Sequence, residues 1–313
     1  MSKTILAAER NNIIYESTFE NGQLNMGCSG NCPTVTTKYA RAGSHSMESY
    51  LNRNTSPTNF RTEGSLASRL KFSWDVDYWI GFSVLFPDSW ENPAGIGEIV
   101  WQIHSSGSGH GGPPVAVYTG NGTWNVGMRY EQGTGYAMKS FNLGSIQNDV
   151  GKWTDWVIHY RPSKEGNGVF EVWKDGVYGG KYTGNTTYSD DVGGPYFKMG
   201  IYKWPWKNLD CCGGTSPEYR VYHDELRIAK GPNAQYSDVA PGGVAQTSNT
   251  STSNTTSNTS KNNTSTTNTT NTTNTFAIGN RVKVSADGAR LAIRDTDGTR
   301  LGAQNDGALG TIT

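Results

Sequence analysis

The chain has 313 residues, among them 39 Gly, 16 Tyr and 10 Trp, with only 17% charged residues and a formal net charge of zero. That length accommodates one β-sandwich of about 200 to 250 residues with accessories, and aromatic rings punctuated by glycine suit strands and turns far better than long helices. Lys and Arg form no sustained run, which argues against a nucleic-acid partner, and no stretch approaches the roughly 18 to 20 apolar residues that span a bilayer.

The opening MSKTILAAERNN holds no apolar core of signal-peptide length, so an export signal is expected to have been removed or replaced. Residues 13–240 then read as one main domain. Cys28 and Cys32 bracket a short polar loop, while Cys211 and Cys212 are adjacent in a glycine-rich loop where a vicinal bridge would be strained. Three pairings are open if all four are oxidised. At least one structural disulfide is expected ahead of free thiols, and zinc is disfavoured because CxxxC followed far away by CC lacks the usual ligand spacing.

Strand-length segments bounded by Gly, Pro, Asn or Asp follow in order: WIGFSVLF (79–86), EIVWQIH (98–104), PVAVYTG (114–120), TWNVGMRY (123–130), KWTDWVIHYR (152–161), GVFEVWKDG (168–176), YFKMGIY (196–202) and YRVYHDELRIA (219–229). In WTDWVIHY, Trp153, Asp155, Val157 and His159 point one way and Thr154, Trp156, Ile158 and Tyr160 the other. VFEVWKDGVYGG reads as a hairpin turning at Lys174-Asp175-Gly176. No segment carries a helical period, so the predicted fold is all-β, two packed antiparallel sheets.

From residue 246 to 275 the composition collapses to Thr, Asn and Ser, interrupted by one Gln and one Lys, the mark of a flexible linker. A coil of that length spans about 30 Å. Residues 276–313 resume a strand and turn pattern that resembles the opening half of a bacterial SH3-like repeat, too short to build a secure core unaided.

The chemistry is expected on three segments: Phe60-Arg61-Thr62-Glu63, Gln102-Ile103-His104, and Tyr196 to Tyr202. With period two, Arg61 and Glu63 share a face, as do Gln102 and His104, and Lys198, Gly200 and Tyr202. Such a polar set cannot line an ordinary core, because unpaired polar groups are expensive to bury. It suits proton abstraction at C5 of a uronic acid. Arg61 and Gln102 would neutralise the carboxylate on which charge develops, and His104 and Tyr202 would serve as base and acid.

RTE, QIH and YFKxGxY, in this order, resemble the signature strands of jelly-roll alginate lyases. HSMES (45–49), WIGFSVLFPDSW, EIVWQIH, GKWTDWVIHYR and FEVWKDG are similar to the glucuronan-lyase and heparin-lyase-I-like superfamily. The resemblance spans residues 15–230 and implies a concanavalin-like β-jelly-roll groove, with His104 and Tyr202 as base and acid and with Gln102 and Arg61 gripping the carboxylate. It implies a secreted enzyme that cuts an acidic polysaccharide internally by β-elimination. In the alginate-type pattern RTE is followed by Leu-Arg; here Gly64-Ser65 follows, which weakens an assignment to alginate.

Further candidates for substrate contact are Lys198, His45, and Trp204, Trp206 and Lys207 of the WPWKN stretch. The bland readings are an ion pair holding sheet geometry for Arg61 and Glu63, sheet cover for Lys198, and a packed, hydrogen-bonded role for His159. The elimination requires no metal in principle. Structural Ca²⁺ is compatible with the abundant Asp and Asn, although no DxDxDG loop is present. A monomer is expected. Two other functions fit a sandwich of this kind: a non-catalytic glycan-binding module, and a glycoside hydrolase, for which Glu48, Glu63 and Glu98 form no recognisable pair.

Overall fold

The computed structural model describes residues 12–55, 60–91, 97–207 and 216–242, together with the backbone of four short strands between residues 281 and 311. The strands of the main domain, in chain order, are β1 (Ile13–Ser17), β2 (Gly27–Gly30), β3 (Thr34–Thr36), β4 (Ser46–Asn52), β5 (Arg61–Ser65), β6 (Tyr78–Leu85), β7 (Ile99–His104), β8 (Val115–Tyr118), β9 (Thr123–Gln132), β10 (Gly135–Ser145), β11 (Trp153–Arg161), β12 (Gly168–Lys174), β13 (Val177–Gly184), β14 (Tyr196–Tyr202) and β15 (Glu218–Lys230). The strands named from sequence pattern are all present. β1 to β4, and β10, an edge strand with mostly exposed side chains, are additions.

Two antiparallel sheets result. One runs β13-β12-β11-β6-β15-β4-β3, with β1 also paired to β15; the other runs β10-β9-β8-β7-β14-β5-β2. The period-two reading of WTDWVIHY holds: Trp156, Ile158 and Tyr160 enter the layer between the sheets, and Val157 joins a small cluster on the outside with Ala229 and Val239.

Trp101, Trp124, Trp156, Phe82 and Phe197 fill that layer. Trp156 meets Trp101 at 5.4 Å and Trp124 at 5.3 Å in edge-on contacts, the arrangement that aromatic quadrupoles favour. Each such ring, fully buried, is worth about 1.5–3 kcal/mol in area alone. Because the core lies on the inner face of the seven-stranded sheet, polar side chains of alternate parity on its strands project from the outer face.

The chain divides into two units, residues 1–250 and 251–313. In the second, β16 (Arg281–Lys283) pairs with β19 (Leu309–Thr311), and β17 (Leu291–Arg294) pairs with β18 (Arg300–Gln304), both antiparallel. The expected linker and the Cys211-Cys212 loop lie outside the described residues.

Candidate active site

The RTE, QIH and YFKMGIY segments become three neighbouring strands, β7-β14-β5, in the seven-stranded sheet. Their register places Tyr196 beside His104, Lys198 between Gln102 and Ser65, Gly200 beside Glu63, and Tyr202 between Ile99 and Arg61. A bulge near Val100-Trp101 sends both of those side chains into the core, while Gln102 and His104 keep the outer face. Bulges re-aim side chains in this way beside functional sites.

Glu63 is the hub. Its carboxylate, 1% exposed, takes Lys198 Nζ at 2.7 Å and a hydrogen bond from Gln102 Nε2 at 2.5 Å, with Arg61 Nη1 at 3.7 Å. Two cations and one carboxylate leave the cluster one positive charge in excess. Burial holds the Lys198 ammonium below its usual pKa, against the pull of Glu63. The ion-pair reading of Glu63 is therefore correct in kind, with Lys198 as its nearer partner.

Arg61 is fixed from two sides. Its guanidinium lies 3.8 Å from the Tyr202 ring centre and Nη1 donates to Ser29 Oγ at 3.4 Å. Ser29 stands on β2, closed by the disulfide Cys28–Cys32 with Cα atoms 5.0 Å apart. Gly30, at φ +75°, has no room for a side chain: a Cβ there would come within 2.3 Å of Arg61 Cγ. The short edge strand thus presses directly on the arginine.

His104 Nδ1 lies 2.6 Å from the Ser105 carbonyl oxygen. A carbonyl only accepts, so Nδ1 carries the proton, and in the neutral ring Nε2 keeps its lone pair. Burial, with the nearby Lys198 charge, lowers the His104 pKa from 6.5. The neutral, base-competent form therefore prevails at neutral pH. Tyr196 stacks on this ring at 5.3 Å, and burial raises its phenol pKa. Tyr196 was not singled out from sequence, although it shares the parity of Lys198 and Tyr202.

Tyr202 stands on the same face six residues beyond Tyr196, so the two backbones are about 20 Å apart along an extended strand, yet the Arg61 guanidinium stacked on the Tyr202 ring is close enough to His104 to help lower its pKa. The structure does not bring Tyr202 against His104. The two flank the Gln102–Lys198 row from opposite ends, with Gly200 between them. Gly200, at φ +147°, approaches β5 so closely that a Cβ would sit 2.2 Å from the Thr62 carbonyl oxygen. It adds no side chain to the floor.

A family model described as "Polysaccharide lyase" matches residues 15–227. The chain belongs to the polysaccharide lyase family. The match runs from within β1 through most of β15 and includes every residue of the Glu63 cluster. Among solved structures, an endo-β-1,4-glucuronan lyase from the fungus Trichoderma reesei superposes with a TM-score of 0.57 at 16% identity, covering 74% of this chain and 95% of that one. An alginate lyase from Pseudomonas aeruginosa gives 0.41 at 22% identity, covering 62% and 86%. No curated protein matches the sequence.

In this lyase the other sequence candidates are placed differently. Trp206 is fully buried, packed edge-on against Phe60 and Tyr219, and is a core residue rather than a sugar platform. The Pro-containing turn that made it a candidate folds this ring back onto the core. His45 is held by Ser44 and Glu20 at the entry to β4, in the other sheet, and is not brought to the Glu63 cluster. Trp204 is half-buried against Tyr202 and Tyr118, and Lys207 is exposed with Nζ 6.0 Å from the Tyr202 ring.

The carboxylates weighed for hydrolysis do not pair. Glu98 is buried against Lys203 Nζ and Trp90 Nε1, Glu48 binds Tyr222 and Arg220 on the other sheet, and Glu63 is neutralised by Lys198. His159 bridges Asp77 and Glu171 at 2.8 Å each and stacks on Trp79, a packed histidine as expected. Among the described residues no three His, Cys, Asp or Glu side chains converge to hold a metal ion, and no helix is long and apolar enough to cross a membrane.

Proposed function

We propose that this polysaccharide lyase cleaves a polyuronate, of the glucuronan or alginate kind, internally and by β-elimination at the β5-β7-β14 face. The observation that carries the reading is the Glu63 cluster: a buried hub with one excess positive charge, bordered by a histidine held neutral. A pyranose over the Gln102–Lys198 row and bare Gly200 has its carboxylate at Arg61, Lys198 and Gln102, His104 toward one end and Tyr202 toward the other.

In the reaction His104 Nε2 takes the C5 proton, and charge moves onto the carboxylate, where the cations receive it. Preorganised donors of this kind are worth about 3–4 kcal/mol each. The electron pair then forms the C4–C5 double bond as the C4–O4 bond breaks. O4 leaves with the Tyr202 hydroxyl proton, and solvent exchange restores both residues. Tyr196 supports the His104 ring. The cation excess is the reason for choosing an acidic sugar, and the disulfide at Arg61 suits an oxidising, extracellular setting.

The test is ultraviolet absorbance of the conjugated double bond during incubation with glucuronan, alginate and heparin. Absorbance is expected to grow with a polyuronate and to be lost in Tyr202→Phe. Tight binding without any chromophore would replace this reading with that of a glycan-binding module.

A further inference from the structure

Arg129 on β9 presents a second positive centre on the same sheet face, apart from the Glu63 cluster. Its neighbours Val126 and Met128 enter the core, so Arg129 projects outward. Its row is fixed by pairing. Ile103 faces Val115 and Val115 faces Met128, so His104 and Arg129 flank Pro114, whose carbonyl accepts the Arg129 backbone N–H at 2.7 Å. Arg129 therefore lies level with His104, two strands away, about 10 Å across the sheet.

This guanidinium is half-buried and makes no ion pair among the described residues; its Nε is buried without a hydrogen-bond partner. Glu131, the nearest acid of the same parity on its strand, is occupied by Ser189. The guanidinium is held instead over the Tyr136 ring at 4.8 Å. Tyr136 is fixed in turn by a 2.8 Å contact between its hydroxyl and His110 Nδ1. Tyr136 is 41% and Met138 55% exposed, and Met138 leans over Gly127, where a Cβ would meet its sulfur at 2.9 Å. A cation fixed on an aromatic ring, short of an anion and beside exposed soft apolar surface, suits a ring that carries a carboxylate.

We propose that Arg129 anchors the carboxylate of a uronate residue at a distal subsite, removed from the reacting ring by more than one sugar, with Tyr136 and Met138 beneath that ring. This rests on the polyuronate reading above and adds that the enzyme reads acidity at two separated positions of the chain. A guanidinium offers a carboxylate two parallel N–H groups, which an ammonium cannot.

The full chain carrying Arg129→Gln or Arg129→Lys is assayed on oligouronates of increasing length, alongside oligomers whose carboxyl groups away from the reacting ring are reduced to alcohols. Arg129→Gln is expected to raise KM about tenfold or more on long oligomers. It should leave kcat nearly unchanged and have no effect on oligomers too short to reach Arg129. Wild type on the reduced oligomers should match Arg129→Gln on the acids, and Arg129→Lys should fall between. A KM that does not move, or moves equally at all lengths and for reduced oligomers, overturns the proposal. If wild type gives no chromophore with any polyuronate, the catalytic reading fails separately; calorimetric titration of a long oligouronate into wild type and Arg129→Gln then decides the subsite by whether the affinities differ.

Discussion

Lys198 and Glu63 form a 2.7 Å ion pair, 2% and 1% exposed, on the outer face of a sheet whose core lies on the other side. Removing one member of such a pair leaves the other charge buried and uncompensated. Glu63→Ala is expected to cost about 3–5 kcal/mol of stability in urea unfolding, and Gln102 loses its acceptor as well. Glu63→Ala together with Lys198→Met should recover most of that loss, because no lone charge is then buried.

The pH dependence of turnover follows from His104. Burial first, and the Lys198 charge second, lower its pKa from 6.5, so the base form persists as pH falls below 6.5 and is lost only through the lowered value. The acid limb of kcat/KM is expected below pH 6.5. Lys198→Met removes one lowering charge and leaves Glu63, which raises the value, less screened. The limb should move to higher pH, and an unmoved limb would show that another group controls it.

The two phenols are separable. Tyr202→Phe is expected to lower kcat by about 100-fold or more, as for loss of a general acid. Tyr196→Phe keeps the ring that stacks on His104 and should retain most of kcat. The reverse order in single-turnover measurements would transfer the acid role to Tyr196.

His223 and Asp224, adjacent on β15, should compensate each other in acid. His223 is fully buried with Nε2 2.8 Å from the Val100 carbonyl oxygen, and burial drives its pKa down to about 3, whereas burial raises Asp224 to about 6. Stability from the depressed His223 is present above its unfolded value of 6.5 and is lost as pH falls. Stability from the raised Asp224 is present below its unfolded value of 3.8 and is lost as pH rises through about 6. Between about pH 4 and 6 the unfolded chain holds its proton on the histidine and the folded chain on the aspartate, so this pair takes up no net proton. Asp224→Asn should make stability fall with decreasing pH more steeply than wild type, by about 1.4 kcal/mol per pH unit, and His223→Gln should tilt the slope the other way. Urea unfolding at three pH values within that window reads both.

Opening the Cys28–Cys32 bridge should act on Arg61. The closed loop is short, with a sequence separation of 4, so loop-entropy arguments give about 2 kcal/mol of stabilisation. Cys28→Ser with Cys32→Ser is expected to lower stability by no more than that. KM should rise several-fold, since Ser29 and Gly30 no longer press on the guanidinium, with kcat less affected. Equal KM values for the oxidised protein and the double variant would remove the loop from substrate binding.

Much of this protein is written in its local pattern. Alternation alone identifies strands such as β11 and β14, because side chains of period two must divide between a buried and an open face. It also puts Arg61 with Glu63, Gln102 with His104, and Lys198 with Tyr202 before any strand is paired. β10 escaped notice because an edge strand with few buried side chains leaves no apolar alternation to read.

Local pattern therefore specifies the kind of fold and which polar residues share a face. Register, and with it neighbourhood, came only from tertiary structure. Pairing across β5, β14 and β7 makes Glu63 the hub, sets Tyr196 rather than Tyr202 against His104, and levels Arg129 with His104 from two strands away. It also folds Trp206 into the core and leaves His45 on the other sheet. The physical reason is that cross-strand contacts join residues far apart in sequence, chosen by how whole sheets bury their apolar faces, and no local period encodes that choice.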